Sequence, residues 1–298
     1  MIRYYRLLSL LCAIALMACE KPVFDNTGAE DTEAGANVVL RFVYYEMEPM
    51  ASYALQGEHS RAATDITQIC SRLNIAVFTD DGTKVKTLAQ KQGDSDYGTV
   101  RLALNDGTYK LVVIAHNGEG SATITSEEKV TFPNNKVTDT FYYYGSLDVT
   151  TETKTYSLVL TRAVALLRMV ITDQTLPAAV TKFKFYYVGG SSTFSPSAGF
   201  GIVQSKQTEI RDVANDGNYD LFTMPHTEED VITKLTVTAL DANDNAIAER
   251  TIENIPIRRN YITRYTGNFF GNSGADADSG DMNMTAEPEW AGISDNSF

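Results

Sequence analysis

Cysteine is almost missing from this chain, with three in 298 residues, at positions 12, 19 and 70. Cys12 lies inside an apolar leader and Cys19 closes it, which leaves Cys70 without an intrachain partner. A disulfide framework is therefore excluded, and core packing and backbone hydrogen bonds must hold the fold. Histidine is equally scarce. His59, His116 and His226 are scattered, and no HExxH, HxH or CxxC spacing exists, so no metal site is expected. Neither a Gly-x-Ser-x-Gly elbow nor a glycine-rich phosphate loop is present, so no catalytic residue and no cofactor are expected. Beyond the leader the apolar runs are short, as at 111–115 and 163–167, far below the roughly 20 residues of a spanning helix. Positive charge is in deficit too, at 25 Lys and Arg against 38 Asp and Glu. A net charge of −13 repels phosphates and argues against nucleic acid and anionic membrane surfaces as partners.

What is present begins with residues 1–18. Arg3 and Arg6 precede a twelve-residue apolar stretch, 7–18, which Leu16-Met17-Ala18-Cys19 closes. A charged start, a short apolar middle and a small residue before the cut mark an export signal. A terminal Cys makes this stretch resemble a bacterial lipobox, although Met17 is a loose match to it. That resemblance implies cleavage before Cys19 and acylation of its thiol. The signal carries two arginines and no acid, so its loss moves the net charge from −13 to −15.

Residues 19–36 are acidic, contain glycine and read as a flexible tether. A β-rich run at 38–45 follows, then a long polar loop from 46 to 61. Ile66, Ile69, Cys70 and Leu73 have helical spacing, with Thr64 and Asp65 as caps, and predict a short helix entering a strand at 74–78. Asp80-Asp81-Gly82 and Asn105-Asp106-Gly107 predict tight hairpins. Alternating apolar residues recur at 100, 102 and 104, at 156, 158 and 160, at 165–171, at 183–187 and at 235–239. No long helical period appears. Many short strands between turn signals predict an all-β chain of two tandem antiparallel β-sandwich domains, 37–150 and 151–272. The Gly/Asp/Asn/Ser-rich segment 273–298, which contains Trp290, reads as a flexible tail.

The remaining constellations are weak. Asp241-Ala-Asn243-Asp-Asn245 resembles half a calcium loop, but Ala246 stands where that loop needs Gly and Ile252 where it needs Glu. It reads as a hairpin turn, and Asp276, Asp278 and Asp281 as a solvated linker. Cys70 reads as a small buried hydrophobe rather than a catalytic thiol. Tyr142-Tyr143-Tyr144 is a candidate sugar-stacking platform, with one face of the strand expected in the core.

Several stretches together are similar to the FimB-type fimbrial subunits of Bacteroides-like bacteria. They are the lipobox and acidic tether, 37–45, Ile66-Thr-Gln-Ile-Cys-Ser-Arg-Leu-Asn-Ile-Ala-Val-Phe78, Gly107-Thr-Tyr-Lys-Leu-Val-Val-Ile-Ala-His116, Leu160-Thr-Arg-Ala-Val-Ala-Leu-Leu-Arg-Met-Val-Ile171 and residues 254–269. The resemblance implies transthyretin-like sandwiches, no enzyme activity, and assembly into a type V pilus as anchor, tip or minor subunit. It implies a place on the outer membrane, lipid-anchored through Cys19 and exposed at the cell surface, with other fimbrial subunits and a host glycan or protein receptor as partners. Arg61-Ala62 is its candidate processing site, where cleavage would free the strand at 38–45. Cleavage there severs Cys19 from the fold, so the expectation is an uncut anchor. A glycan-capturing surface lipoprotein is the alternative, and an uncharacterised hydrolase the third reading.

Overall fold

A computed structural model describes residues 35–45, 63–270 and 293–297. These residues are almost entirely β-structure. In chain order the first strands are β1 (Val38–Tyr45), β2 (Ala63–Asp65), β3 (Arg72–Thr79), β4 (Lys84–Lys91), β5 (Thr99–Leu102) and β6 (Gly107–His116). They continue with β7 (Thr123–Ser126), β8 (Lys129–Thr131), β9 (Thr140–Val149), β10 (Lys154–Val159) and β11 (Thr161–Arg162). After these come β12 (Ala165–Ile171), β13 (Lys182–Gly189), β14 (Thr193–Ser195), β15 (Phe200–Gly201) and β16 (Lys206–Asp212). The last are β17 (Asn218–Thr223), β18 (Glu229–Leu240), β19 (Ala246–Arg258), β20 (Ile262–Gly267) and β21 (Ile293–Ser297).

In the first half, one sheet has β1 at its centre, between β10 on one side and β2 and β5 on the other. It faces a five-stranded sheet in the order β11-β9-β6-β3-β4. The side chains between them form one apolar core, with Leu40, Phe42, Leu73, Val100, Val113 and Phe141 buried in it. In the second half, β17-β12-β20-β21 faces β16-β13-β18-β19 across a core built on Leu167, Phe183, Phe185, Tyr187 and Leu235. Alternation along β13 and β18 puts these residues on one face, as period two requires.

A third apolar cluster joins the halves. Ala76, Phe78, Val112 and Ile114 leave the back of the β3–β6 pair and meet Leu166, Phe194, Met224 and Ile262. The run at 111–115 is thus a strand buried on both faces, alternating between two cores, and 163–167 serves two cores in the same way. Across this seam β14 pairs with β8, Phe194 opposite Val130, so backbone hydrogen bonds also bridge the halves.

Several local expectations are revised. The helical spacing at 66–73 yields only a single 3-10 turn, Ile66–Gln68, capped by the Asp65 carboxylate, which accepts from the Thr67 N–H at 2.9 Å. The core needs Leu73, Ile75 and Val77 on one face of an extended strand, and that burial outweighs the weak helical preference of Ile and Thr. Asp80-Asp81-Gly82 does turn β3 into β4, with Gly82 at φ +82° and Asp81 accepting from the Thr83 N–H at 3.0 Å. Asn105-Asp106-Gly107 makes no hairpin, because β5 pairs with β1 while β6 pairs with β3 and β9. It is an arch between the two sheets. Residues 293–297, read as part of a flexible tail, extend the second half's sheet as β21, parallel to β20 from Ile262↔Ile293 onward. The open backbone edge of β20 supplies the partners. The boundary drawn at 150–151 falls before β10, yet β10 belongs to the sheet of β1, with Leu158 and Leu160 in the first core.

Candidate functional site

The first strand, β1, fills a slot between strands that come from later in the chain. Val38, Leu40, Phe42 and Tyr44 alternate inward and are almost fully buried, while Arg41 points to solvent. On one side β1 runs parallel to β10, Val38↔Lys154 through Val43↔Val159. On the other it is antiparallel first to β5, Val38↔Leu102 through Arg41↔Thr99, then to β2, Val43↔Asp65 through Tyr45↔Ala63. Both rows of backbone groups are therefore satisfied by other strands. Asn37 secures the entrance, its amide donating to Leu104 O and Thr150 O at 2.9 Å each while its carbonyl accepts from the Leu104 N–H at 3.1 Å. If this strand left, a slot lined by unpaired N–H and C=O groups and by apolar pockets would open between β10 and β5.

At the far end of β1, Tyr44 meets a buried charge network. The Arg162 side chain is 3% exposed and pairs bidentately with Asp139, Nε to Oδ1 at 2.8 Å and Nη2 to Oδ2 at 3.0 Å. Its Nη1 donates to the Tyr44 hydroxyl at 3.2 Å and to Asn260 Oδ1 at 3.0 Å. The guanidinium also lies over the Phe141 ring at 4.6 Å and the Tyr44 ring at 5.3 Å. One cation thus touches the first strand, the inner sheet of the first half and a turn of the second half, where Asn260 has φ +60°. A planar fork suits this role where a lysine would not. Sequence reasoning passed over Arg162, although a lone charge between Leu160 and the apolar run at 163–167 was a usable signal.

Other sequence candidates are placed as follows. Cys70 lies in the first core, and burial, with the Asp139 charge adding, pushes its thiol far up, away from nucleophilic chemistry. His116 is fully buried. Its Nδ1 accepts from the Gly118 N–H at 3.0 Å, so Nε2 carries the proton toward Asn74 Oδ1 at 3.1 Å. Asn74 Oδ1 also accepts from the Ala122 N–H at 3.0 Å. His226 sits far along the chain against Asp230, Nδ1 to Oδ2 at 2.7 Å. Among the described residues no group of three or more His, Cys, Asp or Glu is placed to hold a metal ion. Asp241 closes the β18–β19 turn, accepting from the N–H groups of Asn243 and Asn245 at 2.8 Å each. The tyrosine run forms no stacking platform. Tyr143 packs on the first core, Tyr142 meets Phe194 edge to face at 4.8 Å, and Tyr144 donates to Glu127 at 2.6 Å. Cys19, His59, Arg61, Ala62 and Trp290 lie outside the described residues.

Burial lowers the His116 pKa to about 4, the nearby Arg72 charge adding to the effect. The unfolded chain binds a proton near pH 6.5 that the folded chain refuses until about pH 4. Stability is therefore full above pH 6.5 and falls as the pH drops toward 4, by about 3 kcal/mol for this group. Urea unfolding at pH 7 and pH 4 checks it. His116→Gln should flatten the difference, and equal pH dependence in both chains would exclude the assignment.

Residues 35–294 match the model of a family of unknown function, DUF6562. The chain belongs to this family. A search of curated proteins finds no match. Among solved structures, this DUF6562 chain is similar to a candidate polysaccharide-binding protein of Bacteroides thetaiotaomicron, at 14% identity and TM-score 0.47, over 72% of this chain and 79% of that one. It is similar to the fimbrial anchor protein Mfa2 of Porphyromonas gingivalis, at 14% identity and TM-score 0.38, over 72% and 80%. A fimbrial assembly protein of Parabacteroides distasonis is a third, at 12% identity and TM-score 0.39, over 77% and 90%. Each is a loose likeness of chain trace.

Proposed function

We propose that this DUF6562 chain is a non-enzymatic structural subunit of a fimbria, lipid-anchored through Cys19 and joined to neighbouring subunits by β-strand exchange in support of adhesion. The observation that carries the reading is β1, an eight-residue strand at the centre of its sheet whose withdrawal would leave a slot another chain's strand can fill. The leader ending at Cys19 and the ordered motifs similar to FimB-type subunits support the same reading. Its partners are other fimbrial subunits, with the membrane reached through the acyl chain. We divide the chain into two sandwich domains after Arg162 rather than after residue 150, since β10 lies in the first sheet.

Between anchor and cleaved subunit, the anchor is favoured. Cleavage at Arg61-Ala62 would release a strand whose four inward side chains are almost fully buried, at a cost the cell must meet with a replacement strand. Mass spectrometry of sheared surface fibres tests the whole reading. The chain should be present with a blocked, acylated Cys19 at its start, and Cys19→Ala should leave it unprocessed or soluble. A start at Ala62 overturns the anchor, and absence from the fibres overturns the fimbrial role.

A further inference from the structure

At the junction of the halves a cleft of about 360 Å³ opens between the β6–β7 loop, the β8–β9 loop and strands β16 and β17. Its size lies within the range of small-molecule sites, and a junction of this kind is a common place for them. Phe222 supplies an apolar wall, and Glu119, Asn134, Lys136 and Arg211 project polar groups along it.

The lining divides into groups already spent and groups still free. Asp139 is held by both nitrogens of the Arg162 fork, and Asn117 uses its side chain on Ser71 N–H and Ile69 O. Arg211 reaches Glu209 through Nη2, and Lys136 lies 4.0 Å from the same carboxylate. By contrast, the Glu119 carboxylate and the Asn134 amide have no hydrogen-bond partner among the described residues. The free set therefore holds an acceptor in Glu119 and a group that both donates and accepts in Asn134, and beside it stand the N–H groups of Lys136 and Arg211 that Glu209 does not take up.

Charge narrows the ligand. With their ion-pair partners counted, the cations Lys136, Arg211 and Arg162 are matched by the carboxylates Glu119, Asp139 and Glu209, so the cleft has no excess of either sign to hold an ion. Donors and acceptors side by side, balanced charge and one aromatic wall fit a neutral molecule rich in vicinal hydroxyls. The backbone adds a second sign of specialisation. Asn134 and Asn135 stand consecutively at φ +56° and +54°, the left-handed region that costs a non-glycine residue free energy and gathers at functional sites. Asn134 is one of the residues that line the cleft.

We propose that this cleft is a binding site for a neutral saccharide unit, gripped by Glu119, Asn134, Lys136 and Arg211 with Phe222 beneath the ring. The assignment does not depend on the fimbrial role, because a subunit could assemble without it and a surface lipoprotein could use it alone.

The test is saturation-transfer NMR and calorimetry on the mature full chain, with methyl α-mannoside, methyl β-galactoside and N-acetylglucosamine as probes and glucuronate as the charged control. At least one neutral sugar should bind in the millimolar range, and more tightly than glucuronate. Glu119→Ala should weaken it tenfold or more. Asn134→Gly is the discriminating variant, because glycine accepts φ +56° without strain while removing the amide. Its thermal midpoint should hold or rise while binding falls tenfold. Failure of all three neutral probes to bind, or binding unchanged in both variants, overturns the site. A preference for glucuronate overturns the neutral assignment.

Discussion

A chain lacking residues 19–46 is expected to lose the cooperative unfolding of its first sandwich, and a synthetic peptide of residues 36–46 is expected to restore it. Val38, Leu40, Phe42 and Tyr44 are each almost wholly removed from water. At roughly 1.5–3 kcal/mol per buried side chain, they contribute about 6–12 kcal/mol, comparable to the whole stability of an ordinary domain. The strand is also flanked on both sides, so its loss leaves the facing backbone groups of β5, β2 and β10 without partners. Circular dichroism melts with and without peptide check this, with a Phe42→Asp peptide as the control that must fail. An unchanged melt in the truncated chain would remove the basis for strand exchange, since a slot that costs nothing to empty has nothing to gain from a donor.

Arg162→Met is the second large effect. The substitution keeps an unbranched apolar stem, but it removes the guanidinium over Phe141 and strips Asp139 of its bidentate partner in a mostly buried setting. Removing one member of a buried pair typically costs about 3–5 kcal/mol, because the remaining charge is left uncompensated. Arg162→Lys should recover only part of this, as an ammonium cannot reach Asp139, Tyr44 and Asn260 in one plane. Arg162→Met with Asp139→Asn should recover more than either single change would lead one to expect. Urea unfolding of the unsubstituted chain, Arg162→Met, Arg162→Lys, Asp139→Asn and the double variant measures it. Additive single effects would mean that the pair is not energetically coupled. A Tyr44→Phe cycle with Arg162→Met then reports how strongly the seating of β1 is tied to the junction between the halves.

Much of the fold was legible because its signals are local. The run Val38–Tyr45 is rich in β-formers and emerged as β1 at the expected residues. Asp241 and Asn245 carry turn chemistry in their own side chains, and the β18–β19 hairpin turns on them. The sequence resemblance to an exported subunit rests on a leader and on motif order, neither of which needs the fold. Legibility failed wherever a residue's role depended on what covers it from afar. Asn105-Asp106-Gly107 has the chemistry of a hairpin and the geometry of an arch, because β5 is claimed by β1. The spacing of Ile66, Ile69 and Leu73 suits a helix, but the first core takes Leu73 from a strand.

Arg162, Asp139 and Asn260 show the limit most sharply. Nothing near position 162 names positions 139, 44 or 260, and only the closing of three strands and a turn around one guanidinium makes them a network. The cleft is the same case, assembled from two loops and two strands of different halves.

Composition, alternation and turn residues were enough to establish an all-β chain without a disulfide framework, since each depends on neighbours a few positions apart. Strand order required the tertiary structure: β1 parallel to β10, β12 parallel to β20, and β3 and β6 buried on both faces. Alternation tells a strand which side chains to hide but not which strand lies beside it. That choice is made by the fit of side chains such as Phe42, Phe141 and Leu158, which meet only once the whole sheet has closed.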